Sequence, residues 1–296
     1  MLIHRTAIVH PEAEIAPGVE VGAYSVIGRG CSIGAETKID SHVVIQENTT
    51  IGNGCRIYSH AVIGTDPQDL KYKGQPTFCE IGDGTLIREF VTINRGSTEG
   101  SVTRVGSNAM LMTSVHIAHD CQIGDRVIMA NLATLGGHCQ IGEGSVIGGK
   151  AVAHQFVRVG KYAMVGGTSG LMQDVPPFMM AFGQAPAKIV NINAVGIMRN
   201  GYSKEDRANL RRCFHLLYRN GNSLAEALEK IEEEFKSGAP LELVQFFRES
   251  KRGTCRPVGR NTWVDSRLNN DAQPQEFREA EEDEFFDELT ASLPAT

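Results

Sequence analysis

The chain has 296 residues, 41% of them hydrophobic, 32 glycines and a formal net charge of −6. That length can bury a sizeable core, and the ordinary apolar content excludes a wholly disordered chain. No apolar run approaches the roughly 20 residues of a membrane span. The opening MLIHRTAIVHPEAEI has no charged stretch followed by an apolar one, so neither a transmembrane segment nor a signal peptide is expected, and the protein is expected in the cytoplasm.

From Ile3 onward a large apolar residue recurs at every sixth position. The series runs through Val9, Ile15, Val21, Ile27, Ile33, Ile39, Ile45, Ile51 and Ile57 to Ile63. It resumes in phase at Ile81, Ile87 and Ile93, and again from Val105 through Leu111, Ile117, Ile123 and Met129 to Leu171, broken only by Asp69, Gln75 and Glu99. Glycine often follows the large residue, as Gly28, Gly52, Gly124 and Gly142 do. Another slot of the hexad is small or β-branched and holds Cys31, Cys55, Cys121 and Cys139. These cysteines read as core fillers rather than a disulfide framework.

A period of six is neither helical nor that of a long alternating strand. It predicts very short strands separated by turns, with three hexads closing one triangular coil, which is a parallel β-helix. The expected fold is therefore mainly β, with the β-helix over residues 1–190. Two stretches interrupt it, at 65–80 (TDPQDLKYKGQPTFCE) and at 95–104 (RGSTEGSVTR). Long loops on a rigid scaffold commonly carry function, and Asp69 and Lys71 in the first could grip a polar ligand.

The third uninterrupted stretch contains HIAHDC at 116–121, GGH at 136–138 and VAHQF at 152–156. In a coil of 18 residues, positions 18 apart stack at one strand spacing, roughly 4.8 Å. His119 then lies in one column with Gly137 and Gln155, Asp120 lies in the next with His138, and His154 sits beside them. Ile117 and Cys121 face the core. An exposed imidazole with a carboxylate on one nitrogen is the arrangement of a general base. Gly137, lacking a side chain, can bring its backbone N–H to an oxyanion. H-x-x-H is also a possible zinc pair, but no third ligand follows at a recognised spacing, so no metal is expected.

After residue 172 the hexads stop in a Pro/Gly-rich exit segment. Ser203 with Asp206 three residues on reads as a capping box. RANLRRCFHLLYRNG, SLAEALEKIEEEFKSG and LELVQFFRES then have amphipathic helical spacing. They predict a small α-helical domain over 191–257. Residues 258–296 hold ten Asp/Glu against three Arg, a charge of −7, so the body carries about +1. This acidic segment reads as a disordered extension or an isolated helix. No nucleic-acid partner is expected.

QDLKY at 68–72, IRE at 87–89, HIAHDC, GGH, VAHQF, and SG with QDVPP between 169 and 177 are specific motifs. Through them, over about residues 1–257, the chain closely resembles the bacterial UDP-N-acetylglucosamine O-acyltransferases, of the hexapeptide-repeat acyltransferase superfamily. The resemblance implies a left-handed β-helix and the first step of lipid A synthesis. It implies that His119 deprotonates the sugar 3-hydroxyl, that Asp120 orients it, and that the Gly137 amide stabilises the oxyanion. Gln68, Asp69, Lys71, His116, His138, His154 and Gln155 would contact sugar, phosphate and pantetheine, with Asn193 and Arg199 near the nucleotide. The family is a homotrimer with sites between subunits. Its donor is a 3-hydroxyacyl group on acyl carrier protein, so phosphopantetheine enters on the donor and no cofactor is bound. Lys150, Arg158 and Lys161 form a local basic cluster suited to that acidic carrier. Gly167 corresponds to the end of the acyl groove, and its small size implies room for a longer chain.

Three departures from the family pattern stand out. Asn94 replaces a histidine found in some members, which leaves open N-acylation of a 3-amino sugar nucleotide. Asn200 follows Arg199 where a second arginine can occur. The acidic extension has no counterpart. A catalytically silent carrier-binding scaffold is the non-enzymatic alternative.

Overall fold

The computed structural model describes residues 2–258. Of the acidic extension expected over 258–296, residues 259–296 lie outside the described residues. Strands of mostly two residues, beginning with Leu2–Ile3, Ile8–Val9 and Glu14–Ile15, follow one another along the chain. Each pairs in parallel with the strand one coil further on: Ile3 with Val21, Val9 with Ile27, Ile15 with Ile33. Three sheets of eleven, nine and eight strands form the walls of a left-handed β-helix. Where the two loops intervene the offset lengthens but the faces keep phase, so Ile63 still pairs with Ile93 and Ile93 with Ile117. Ile27, Ile45, Ile63, Ile93 and Ile117 are each at most 1% exposed. The hexad residues thus form the core. All seven cysteines are free and buried, among them Cys31, Cys55, Cys121 and Cys139 in the small slot of the hexad.

Most corners of the prism place a residue in the left-handed region. Non-glycine side chains occupy many of these positions, including Tyr24, His42, His60, Phe90, Asp120, His138 and Phe156, with φ between 59° and 66°. Such a conformation costs roughly 1–2 kcal/mol per residue. Stacking offsets part of this. The rings of Tyr24, His42, His60 and Phe90 form a ladder with centroids 5.0–5.2 Å apart. The glycines that follow core residues answer a different demand. A Cβ on Gly124 would lie 2.7 Å from the backbone N of Glu143 in the next coil, so any side chain there would force the coils apart.

The exit segment is more regular than its prolines and glycines suggest. Met179–Phe182 and Lys188–Ile192 form an antiparallel hairpin that extends the first sheet. Four helices follow: α1 (Ala194–Arg199), α2 (Lys204–Tyr218), α3 (Leu224–Glu234) and α4 (Ala239–Glu249). Ser203 and Asp206 make the expected capping box, and Ser223 with Glu226 makes a second. Leu210, Phe214, Ile231, Leu243 and Phe247 bury the apolar faces of α2, α3 and α4 in the same core cluster as the coil, and residues 1–257 are one compact unit. Beyond α4 the chain returns to the coil. The Asp174 N–H donates to Gly253 O at 3.0 Å, and the Cys255 N–H donates to Asp174 O at 2.8 Å.

Candidate active site

His119 and Asp120 occupy the corner that follows the strand His116–Ile117. The left-handed backbone of Asp120 (φ 60°) lets its carboxylate fold back on the preceding ring. Asp120 Oδ2 lies 2.7 Å from His119 Nδ1, and the two side chains are only 9% and 12% exposed. The loop at 95–104 closes over the same carboxylate. Ser97 donates its N–H to Oδ1 at 3.2 Å and its hydroxyl to Oδ2 at 2.6 Å. The Asp120 N–H in turn donates to Thr103 Oγ1 at 2.7 Å. Burial favours the neutral acid, but the hydrogen bonds from Ser101, Ser97 and His119 outweigh it and hold the Asp120 pKa at about 2. An ionised carboxylate only accepts hydrogen bonds, so the neutral His119 ring carries its proton on Nδ1. The lone pair is then on Nε2, where a base needs it.

Gly137 stacks over this ring. A Cβ there would lie 2.6 Å from His119 Cε1 and 2.7 Å from Nε2, so the absence of a side chain is what admits the imidazole. Gly137 is buried, and its N–H has no hydrogen-bond partner among the described residues. A buried, unpaired N–H beside a base is a ready donor to developing negative charge. His138 completes the cluster. Its Nε2 is 3.7 Å from Asp120 Oδ2, its ring meets His119 edge-on at 5.1 Å, and it stacks on Phe156 at 4.5 Å. A cleft of about 610 Å³ opens beside it, lined in part by His138, Phe156, Arg158, Lys251 and Arg252.

The other expected residues are dispersed. His116 Nδ1 lies 2.8 Å from Thr92 Oγ1, and burial pushes its pKa down, favouring the neutral ring. His154 and Gln155 are exposed on the coil above. Gln68 and Lys71 are exposed, and Asp69 Oδ1 accepts the Lys71 N–H at 2.9 Å in a local turn. Among the described residues no hydrogen bond or ion pair joins this loop tip to His119 or Asp120. The loop reaches the site through its far limb, where Gln75 donates to Ser97 O. Asn193 is 5% exposed and caps α1, with Oδ1 accepting from Gly196 N at 3.0 Å and Nδ2 donating to Tyr162 O at 2.8 Å. Its amide is committed to the fold, whereas Arg199 stands exposed in the last turn of α1. Gly167 is exposed, with Gly149 O 3.2 Å from where a Cβ would be.

One expectation needs revision. Lys150, Arg158 and Lys161 do not act as one open basic patch, because Arg158 pairs with Glu249 at 3.2 Å and Lys161 pairs with Glu242. Helix α4 supplies both partners, and nothing in the repeat foretells them. Asn94 is 3% exposed and donates at 2.8 Å to both Thr65 Oγ1 and Asp66 O. It anchors the first loop. No motif or period in the sequence points to Ser97, Ser101, Thr103 or Arg252. The first three lie in the interruption at 95–104, but Arg252 is 98 residues from its partner His154.

The coil brings three possible metal ligands together, although not the His116–His119 pair that the spacing offered. His119, Asp120 and His138 have ligand atoms within 4.8 Å of one another. However, Asp120 Oδ2 already accepts from His119 and the Ser97 hydroxyl and Oδ1 from the Ser97 N–H, so a cation at either oxygen would compete with a hydrogen bond. The set fits a base and its orienter better than a resident ion.

A left-handed triangular β-helix carrying a histidine–aspartate pair on one edge, with a helical C-terminal region, defines the class of hexapeptide-repeat acyltransferases. A bacterial transferase hexapeptide (six repeats) family matches residues 30–65 and 103–137, and a family described as UDP N-acetylglucosamine O-acyltransferase, domain 2, matches residues 174–255. The acyl-[acyl-carrier-protein]–UDP-N-acetylglucosamine O-acyltransferase of Thermodesulfovibrio yellowstonii is 49% identical over 256 residues, covering 86% of this chain and 99% of that protein. The enzyme of the same name from Syntrophobacter fumaroxidans is 47% identical over 258 residues, covering 86% of this chain and all of the other. Among solved structures, the UDP-N-acetylglucosamine acyltransferase of Francisella novicida superposes with a TM-score of 0.84 at 36% identity, covering 93% of this chain and 100% of that one. The Moraxella catarrhalis enzyme gives 0.83 at 42%, covering 86% and 100%. The chain belongs to the UDP-N-acetylglucosamine O-acyltransferase family. Among the described residues no helix is long and apolar enough to cross a membrane.

Proposed function

We propose that the chain transfers a 3-hydroxyacyl group from acyl carrier protein to the 3-hydroxyl of UDP-N-acetylglucosamine, the first step of lipid A biosynthesis. The observation that carries this reading is His119, held by ionised Asp120 with Nε2 free, beside the unpaired N–H of Gly137. Nε2 takes the proton of the sugar hydroxyl as its oxygen attacks the thioester carbonyl. The Gly137 N–H donates to the oxyanion of the tetrahedral intermediate. Collapse breaks the C–S bond, and the imidazolium returns its proton to the departing pantetheine thiolate. Asp120 stays ionised throughout and stabilises the transient imidazolium. The phosphopantetheine arrives on the carrier, so no resident cofactor takes part.

The exposed tip of the first loop, with Leu70 98% exposed, supports a homotrimer in which Gln68, Asp69 and Lys71 serve the site of a neighbouring copy. His116, His138, His154, Gln155 and Arg199 are assigned to substrate binding, with Asn193 acting through the helix that bears Arg199. The open surface at Gly167 supports a long acyl chain.

The test is turnover of 3-hydroxyacyl carrier protein and UDP-N-acetylglucosamine by wild type and His119→Ala. Loss of turnover in the variant is expected, and equal turnover would remove His119 as the base. Running the 3-amino sugar nucleotide alongside checks the acceptor. A wild-type preference for a ten-carbon donor over a fourteen-carbon one would refute the role of Gly167.

A further inference from the structure

The segment that returns from α4 to the coil is firmly placed. Ser250 Oγ donates to Asp174 Oδ2 at 2.7 Å, and Asp174 Oδ1 accepts the Arg158 N–H at 2.9 Å. The Gly253–Asp174–Cys255 backbone bonds continue it, the Ile189 N–H donates to Arg256 O at 2.9 Å, and Cys255 is 1% exposed. Gly253 turns with φ +75°, a conformation that suits glycine. This path sets Arg252 against the site edge. Its Nε donates to Met172 O at 3.1 Å, and a terminal nitrogen of its guanidinium lies 2.9 Å from His154 Nδ1.

That last contact has a chemical consequence. A guanidinium offers only donors, so while the bond is made His154 Nδ1 must accept. The ring proton is then on Nε2. The same Nδ1 lies 3.1 Å from Gln155 O, a contact that would be a hydrogen bond only with the proton on Nδ1. Two neighbours therefore compete for one nitrogen, and they specify opposite tautomers. Arg252 is a full cation with donor geometry already fixed by Met172 O, and a charge-assisted bond is stronger than a neutral one.

We propose that Arg252 is a positioning residue that holds His154 in the Nε2–H tautomer, so that His154 presents a hydrogen-bond donor to the substrate. This rests on the reading of His154 as a substrate contact. It gives the C-terminal return segment, remote in sequence from the repeat, a part in building the site.

The test uses the full-length ¹⁵N-labelled protein without substrate at about pH 8, where an ordinary histidine is neutral. Long-range ¹H–¹⁵N spectra of the imidazoles, with His154 assigned from His154→Gln, should show its Nε2 protonated and Nδ1 bare. Arg252→Met should move the proton to Nδ1, and Arg252→Lys, which also only donates, should keep it on Nε2. In turnover, Arg252→Met should raise one substrate KM about tenfold with kcat little changed, a loss of uniform binding. The His154→Gln/Arg252→Met double variant should be no worse than His154→Gln alone. An unchanged His154 tautomer in a folded Arg252→Met protein, or additive losses in the double variant, would overturn the role of Arg252. Wild-type kinetics in His154→Gln would instead overturn the substrate contact, and the substrate-free spectra keep that failure distinct.

Discussion

Asp120 Oδ2 sits 2.7 Å from His119 Nδ1 although the two residues are consecutive in the chain. Neighbouring side chains on an extended strand point apart. Here the left-handed turn at Asp120 (φ 60°) brings them together, so the corner geometry of the coil builds the pair. Asp120→Asn keeps the shape but not the charge, and its amide can present a donor that fixes the wrong tautomer. We expect kcat to fall on the order of 10²–10⁴-fold, the range of general acid–base contributions, with KM little changed. Steady-state kinetics check this. An Asp120→Asn enzyme within a few-fold of wild type would refute the orienting role.

The pH dependence of stability follows from the same carboxylate. Its folded pKa of about 2 lies below the ~3.9 of a free aspartate. Asp120 therefore contributes stability fully above about pH 4 and loses that contribution as pH falls towards 2. Denaturant unfolding of wild type and Asp120→Asn at successive pH values should show the advantage of wild type shrinking below about pH 4. A difference that persists undiminished to pH 2 would contradict the hydrogen-bonding arrangement around Asp120.

The sequence was most legible where one physical demand repeats. Ile27, Ile63 and Ile117 each answer the same need to fill a prism, so a fixed period reveals the coil and places His119 under Gly137 without coordinates. The capping box at Ser203 was legible because both partners are local. The remaining features depend on contacts that the period does not encode. Arg158 loses its apparent freedom to Glu249 of α4, the hairpin at 179–192 is hidden by Gly183 and Pro186 between its strands, and Arg252 reaches His154 only because the chain doubles back after α4. Ser97 lay in between. Its loop stood out as an interruption, but its bond to Asp120 is set by how that loop folds.

Gly137→Ala separates packing from chemistry. The added Cβ would fall 2.6–2.7 Å from His119 Cε1 and Nε2, and the ring must move because the backbone of the coil cannot. The ring is 12% exposed and pairs with Asp120, so we expect a loss of stability of about 0.5–3 kcal/mol. We expect kcat to fall by on the order of 10²-fold or more as the base leaves its position. Thermal unfolding alongside kcat distinguishes the two effects. Equal activity in the variant would show that the approach of Gly137 to His119 is not needed for turnover.

The His119–Asp120–His138 cluster makes a definite statement about metals. Because Asp120 is engaged by both His119 and Ser97, exhaustive chelation should leave kcat/KM unchanged. Added Zn²⁺ should inhibit by capturing the base, and His138→Ala should weaken that inhibition. Stoichiometric metal in the purified protein whose removal abolishes activity would reverse the assignment.

Arg95 is the hub of the two interrupting loops. Its side chain is 8% exposed, and its terminal nitrogens reach Glu47 Oε1 at 3.1 Å, Gly64 O at 3.1 Å and Tyr72 Oη at 3.2 Å, with Asp66 as a further ionic partner. Glu47 and Asp66 are half or more exposed, so water screens the ionic part and much of the value lies in the buried hydrogen bonds. Arg95→Met should therefore cost about 1–3 kcal/mol, the penalty for stranding the buried acceptor at Gly64 and its neighbours. The loop it releases carries Gln68, Asp69 and Lys71, so KM should rise more than kcat falls. Denaturant unfolding and steady-state kinetics on the same preparation check both. A variant with unaltered KM would show that the loop keeps its working shape without the arginine.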